Sequence, residues 1–138
     1  MKSESKRKVK SRFLRQRINF AANPKKVFES LLDSRKHSAF TGSKAVISKK
    51  PGSSFSVYGG YAKGTVLEAV PFKKIVMTWR SSDFPKEHFS RITMSIFSWR
   101  KGTRISFYQS YVPLSQYKAI KQGWFEHYWN KLGAYLEK

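Results

Sequence analysis

The chain has 138 residues and no cysteine, and 28 Lys and Arg stand against 8 Asp and Glu, a formal charge of +20. That length allows one domain burying about two-thirds of the surface its unfolded form exposes. The absent thiols exclude a disulfide framework and thiolate metal sites, and no apolar run suits a membrane-spanning helix or the middle of a secretory signal. A cytoplasmic location is the expectation. Charge of this strength attracts nucleic acid, anionic headgroups or acidic protein surfaces, and bears on association rather than fold.

Residues 1–10 are polar, charged and aperiodic, which predicts a flexible basic arm ahead of a single domain over 11–138. From Ser11, Leu14, Gln16, Ile18 and Phe20 alternate with Arg15, Arg17 and Asn19, the period of a strand with one wet face. Asn23-Pro24 sets a helix start, cap then first helical residue, with Val27, Phe28, Leu31 and Leu32 as the apolar side. Asp33-Ser34 ends that helix or caps a second short one through His37 and Phe40, closed by Gly42.

From Lys44 to Pro113 the pattern is strand and turn. Ala45–Ser48 reads as a short strand, followed by Phe55–Tyr58, Tyr61–Ala69, Ile75–Arg80, about Phe89–Trp99 and Thr103–Tyr111. Turns fall at Pro51-Gly52, Gly59-Gly60, Pro71 and Lys101-Gly102, and Ser81–His88 is a polar loop containing Pro85. With the first strand this makes about seven, as one antiparallel meander with an apolar and a polar side. Ile75, Met77 and Trp79 stand against Val76, Thr78 and Arg80, for example.

Ser115–Lys138 is the longest periodic segment. Ile120, Trp124, Tyr128, Leu132 and Leu136 recur every fourth residue, and Phe125, Trp129 and Tyr135 widen the stripe. This predicts one core-facing helix of roughly 35 Å, with Ser115 as N-cap and Lys131 and Lys138 near the end that favours cations. The element order gives an α+β fold, with helices on one face of an antiparallel sheet.

Three stretches, HSAFTG at His37–Gly42, GGYAKGTVLEAVPFKKIVMTWRSSDFP from Gly59 to Pro85 and VPLSQYKAIKQGWFEHYWNKLGAYLEK from Val112, carry a resemblance. They resemble the domain at the C-terminus of the activator of heat-shock protein 90 ATPase, a branch of the START-like (SRPBCC) helix-grip superfamily. The resemblance runs in collinear order from about residue 11 to the end. It implies a curved antiparallel sheet of six to seven strands wrapped around the long C-terminal helix, two short helices after the first strand, and an apolar cavity between sheet and helix. It implies a binding role, either contact with the heat-shock protein 90 chaperone or carriage of a lipid, hormone or polyketide as in related START-like domains. The eukaryotic co-chaperone has a further N-terminal domain in major contact with the chaperone, where this sequence has a short basic arm. The branch supplies no catalytic residues to carry over.

Phe, Trp and Tyr make up 16% of the chain, enough for either a packed core or a pocket wall. Phe28, Phe40, Tyr58, Trp79, Trp124 and Tyr128 are the candidate cavity lining. Asp83 and His88 are candidate polar groups at its mouth, although Asp-Phe-Pro is also ordinary turn chemistry. Glu87-His88 and Glu126-His127 place acid beside imidazole, but neighbours along a strand or helix point in different directions and no metal-ligand spacing accompanies them. The expectation is therefore a non-enzymatic chain with no catalytic set, metal or cofactor. Arg12, Arg15 and Arg17 share the first strand with Phe13, a footprint for an anionic partner. Without an RNP-like motif, helix-turn-helix or zinc finger, nucleic-acid contact there would be unspecific.

The leading expectation is an activator-like co-chaperone of heat-shock protein 90 or a stress-linked interaction module. The second is a carrier or sensor of a small hydrophobic ligand in the sheet–helix cavity, and the third is unspecific nucleic-acid binding through the basic surface. A monomer or weak dimer is expected.

Overall fold

A computed structural model describes residues 9–137, so the expected arm over 1–10 lies almost wholly outside the described residues, as does Lys138. Strand β1 (Ser11–Phe20) is followed by helices α1 (Pro24–Leu32) and α2 (Ser34–Thr41), then by strands β2 (Ser54–Val57), β3 (Ala62–Val70), β4 (Lys74–Ser81), β5 (Ser90–Trp99) and β6 (Gly102–Pro113). The six strands make one curved antiparallel sheet in the order β1-β6-β5-β4-β3-β2. The fold is the α+β helix grip that the sequence predicts.

Local chemistry explains the helix boundaries. The Asn23 carboxamide oxygen accepts the Lys26 N–H at 2.8 Å and Pro24 opens α1, while the Asp33 carboxylate accepts the Lys36 N–H at 2.9 Å and starts α2. Gly42 closes α2 at φ 77°, a conformation an L side chain resists.

The expected strand at Ala45–Ser48 does not form; the segment contributes one isolated bridge, Val46 to Ser56. The serines of α2 take its backbone groups instead. Ser34 Oγ accepts from Ile47 N at 2.8 Å and donates to Ile47 O at 2.9 Å, and Ser38 Oγ accepts from Ala45 N at 2.9 Å. A side chain that satisfies a backbone pair removes the reason for a ladder. The count is therefore six strands rather than about seven.

The C-terminal stretch is one helical run in three parts, α3 (Tyr117–Trp124), a π-helical turn (Phe125–Trp129) and α4 (Asn130–Leu136). Ser115 is not its N-cap. It lies in a 3-10 turn over Leu114–Gln116, and α3 begins after Gln116 without a side-chain cap. The π turn answers a geometric problem in the sequence, because a strict four-residue repeat rotates by about 40° per step around an ideal α-helix. The wider turn takes up part of that drift, and Ile120, Trp124, Tyr128, Trp129, Leu132 and Leu136 are all buried. Phe125 is exposed and Tyr135 half-buried, so the stripe is narrower than predicted.

Inward-facing residues of the sheet meet this helix in the core, among them Leu14, Ile18, Ile75, Ile92, Ile105 and Phe107. Alternation fails at Val76. It is buried on the opposite face, between its cross-strand neighbours Glu68 and Thr93.

Candidate functional site

Two glutamines of the sheet hold two tryptophans of the helix. Trp124 Nε1–H donates to Gln109 Oε1 at 2.8 Å; Gln109 Nε2–H donates to Ser90 Oγ at 2.9 Å, and Ser90 Oγ–H donates to Trp79 O at 2.7 Å. Trp129 Nε1–H donates to Gln16 Oε1 at 2.9 Å, and Gln16 Nε2–H returns to Lys121 O at 2.9 Å. All four side chains are buried, and the indole N–H groups of Trp124 and Trp129 both find acceptors inside the core. These pairs fix the helix's depth and rotation on the sheet.

Beside this grip, where α3 and the π turn pass the start of β3, a cleft of about 610 Å³ remains. Val57, Ala62, Trp79, Ile120, Trp124 and Tyr128 form its apolar floor, and Tyr58, Tyr61, Gln122, Glu126 and His127 supply polar edges. Its size and apolar character suit a small molecule. Gly123 also lines it, where a Cβ would find nothing nearer than His127 Cδ2 at 3.8 Å.

The mouth is built by an unusual turn. Tyr58, at φ 54°, leads Gly59 and Gly60 through three successive left-handed conformations. A non-glycine residue there costs of order 1 kcal/mol. The Tyr58 hydroxyl offsets this by donating to the His127 carbonyl, which ties the turn to the helix. Burial pushes the Tyr58, Tyr61 and Tyr128 phenols above their ordinary range, so all three stay neutral at physiological pH.

Of the residues singled out from sequence, Tyr58, Trp79, Trp124 and Tyr128 line this cleft; Phe28 and Phe40 do not. Phe28 packs edge-on against Phe72 at 5.6 Å, and Phe40 against Tyr128 at 5.2 Å, both as core residues. Their helices cover the core elsewhere, a relation that amphipathic spacing does not encode.

Asp83 stands one residue back from the mouth, accepting the Tyr61 hydroxyl at 3.0 Å. His88 turns away from it, Nε2 lying 2.7 Å from the Tyr111 carbonyl. The loop between them is pinned by Arg80, whose guanidinium donates to the carbonyls of Phe84, Pro85 and His88. Asp83 and His88 therefore do not form a pair at the cleft. Glu126 and His127 lie 3.9 Å apart at its exposed rim. Among the described residues, no three His, Asp or Glu side chains come together as a metal site would need.

The three arginines of β1 separate at a bulge between Arg12 and Leu14. Arg15 and Arg17 point to the outer face of the sheet with Phe13, whereas Arg12 lies 4.0 Å over the Tyr117 ring at the start of α3. The cleft residues missed from sequence, Tyr61, Gln122, Gly123 and His127 chief among them, belong to the turn and the helix flank. The Gly59-Gly60 pair was their one visible signal.

The family described as "Activator of Hsp90 ATPase homolog 1-like protein" matches residues 21–137. The chain belongs to this family. Relatives include an activator of 90 kDa heat shock protein ATPase homolog from Dictyostelium discoideum, 26% identical over 119 residues, and homolog 1 from Homo sapiens, 27% identical over 109. The matches cover 86% and 79% of this chain but 31% and 32% of those proteins, so the chain spans about a third of their length. Among solved structures, an HSP90 activator from Plasmodium falciparum superposes with a TM-score of 0.83 at 21% identity, covering 91% of this chain and 96% of that one. An Aha1 dimer from Colwellia psychrerythraea gives 0.75 at 17% identity, covering 91% and 96%. Identities this low carry the fold alone. No helix among the described residues is long and apolar enough to cross a membrane.

Proposed function

We propose that this chain is a non-catalytic binding module of the Hsp90-activator type, which docks its cationic exterior on an acidic surface of a 90 kDa heat-shock protein and raises that protein's ATPase rate. The family match over residues 21–137 carries the reading. The charge of +20 supports it, since opposite charge accelerates encounter and sets orientation more than it adds affinity. A co-chaperone of this kind would act in the cytoplasm and in the response to stress. The test is a titration of the folded chain against the 90 kDa chaperone of the same organism at low and moderate salt, following association and ATP hydrolysis together. Binding with faster hydrolysis is expected; absence of both at every salt concentration refutes the reading.

A second reading rests on the cleft of about 610 Å³ with its apolar floor, which suits carriage or sensing of a small hydrophobic ligand. A ligand that binds only the native state raises the unfolding midpoint by mass action. A thermal-shift screen of apolar compounds in which none acts through the cleft would remove this reading and leave the first untouched.

A further inference from the structure

The face of the sheet turned away from the helix sets exposed rings among its cations, a combination that neither reading uses. Residues paired across antiparallel strands share a face. Arg15 of β1 stands opposite Tyr108 of β6, which stands opposite Thr93 of β5. One step along, Arg17 meets Ser106 and then Ser95; at the next, Asn19 meets Arg104 and then Phe97. Phe13 packs 5.4 Å from Tyr108, and the Arg15 guanidinium lies 5.3 Å from the Phe13 ring and 5.4 Å from that of Tyr108. At the other end Arg104 stacks 3.6 Å over Trp99, with Arg100 5.2 Å from the same ring. The result is a field of rings and guanidinium planes across three strands.

Among the described residues no carboxylate pairs with these arginines. The segments forming β1, β5 and β6 contain neither Asp nor Glu. Among the described residues the one carboxylate that cross-strand register sets on the same face, Glu68 of β3, lies beyond β4 and pairs with Lys74. Desolvation, followed by the nearby charges of Arg17 and Arg100, lowers the pKa of the Arg104 guanidinium from its ordinary value. Phe13 and Phe97 are each 51% exposed, so the fold leaves half of each apolar ring in water.

We propose that the outer face of β1, β6 and β5 binds single-stranded nucleic acid, its bases stacking on Phe13, Tyr108, Phe97 and Trp99 and its phosphates meeting Arg15, Arg17, Arg100 and Arg104. A polyanion of phosphates matches the uncompensated charge. Unpaired bases match the rings, because every base has a flat π-face that stacks on aromatic side chains and on guanidinium planes. An acidic protein surface would neutralise the arginines but leave Phe13 and Phe97 without flat partners, which is why the rings decide between the two. Phe13 to Asn19 spans about 20 Å of strand. Other sheets that read RNA stack two or three bases on such a platform. Stacking and phosphate contact do not distinguish one base from another, so the binding is tolerant of sequence.

The test uses the full chain and short fluorescent oligouridylate and oligothymidylate probes, read by anisotropy between about 50 and 200 mM salt. With three or four phosphates held, the logarithm of affinity against that of salt has a slope of about −2 to −3, a loss of roughly 16- to 64-fold across that range. Arg17→Ala and Arg104→Ala each flatten the slope by about 0.7. Phe13→Ala and Phe97→Ala each weaken binding by about fivefold or more at unchanged slope, and Phe13→Tyr restores it. These side chains are outside the core, so thermal unfolding stays near that of the parent and separates lost binding from lost fold. The proposal is overturned by absence of binding at the lowest salt, by affinity indifferent to the rings, or by duplex binding as tightly as single strand. Polyglutamate displacing the probe as readily as unlabelled oligonucleotide also overturns it, and assigns the face to an acidic protein.

Discussion

Replacing Gln109 by leucine should destabilise the protein by roughly 2 to 4 kcal/mol, although the change is nearly isosteric and introduces no charge. Gln109 is completely buried, with Trp124 on its oxygen and Ser90 on its nitrogen. Leucine leaves the Trp124 indole N–H without an acceptor, a cost of about 1 to 3 kcal/mol, while Ser90 still donates to Trp79 O and loses only one of its two bonds. Trp124→Phe alone creates the converse fault, an orphaned Gln109 oxygen plus the lost ring volume. With both replaced, no polar atom remains unpaired between them, so the double variant should be more stable than the sum of the single changes by about 1 to 2 kcal/mol. Urea unfolding of the four proteins, extrapolated linearly with a common slope, measures this directly. A Gln109→Leu cost below about 0.5 kcal/mol, or strict additivity in the cycle, would refute the view that the glutamines grip the helix.

Other perturbations follow from the same coordinates. His37 is buried with Nδ1 3.0 Å from Leu31 O and Nε2 without a partner among the described residues. Burial pulls its pKa below the ordinary 6.5, against a smaller opposing effect of the Leu31 hydrogen bond. The unfolded chain therefore binds the extra proton first, so this stability is present above pH 6.5 and is lost as pH falls toward the lowered folded value, by at most about 1.4 kcal/mol per pH unit. His37→Asn should remove that component; a difference in unfolding free energy between the two proteins that stays flat below pH 6.5 would contradict the assignment. Gly123→Ala should raise stability by roughly 0.5 to 1 kcal/mol through helix propensity, since its Cβ meets only His127 at 3.8 Å, and Gly123→Phe should abolish uptake of apolar dyes by filling the cleft. Gly64→Ala should cost roughly 1 to 3 kcal/mol or more in thermal unfolding, because its Cβ would stand 2.0 Å from the Thr78 carbonyl oxygen.

Much of the fold was legible because its signals are local. The alternation of Leu14, Gln16, Ile18 and Phe20, the Asn23-Pro24 start and the spacing of Ile120, Trp124, Tyr128, Leu132 and Leu136 each follow from backbone period or from a cap that reaches three residues. Errors arose where a distant group took over a local preference. Ser34 and Ser38 claimed the backbone of Ala45 and Ile47, and a π turn redirected the aromatic stripe.

The sequence by itself determined the α+β class, the family and the large excess of cations, since composition, period and motif need no knowledge of what touches what. Only the tertiary structure decided that Gln16 and Gln109, otherwise unremarkable polar residues of two strands, are the acceptors of two buried indoles. It also decided that the cleft opens beside Tyr58 and Gly123, while Phe28 and Phe40 fill the core. The charge, too, needed three dimensions to become a surface. Arg17 and Arg104 are 87 residues apart in the chain, and cross-strand register alone sets them on one face with no carboxylate between.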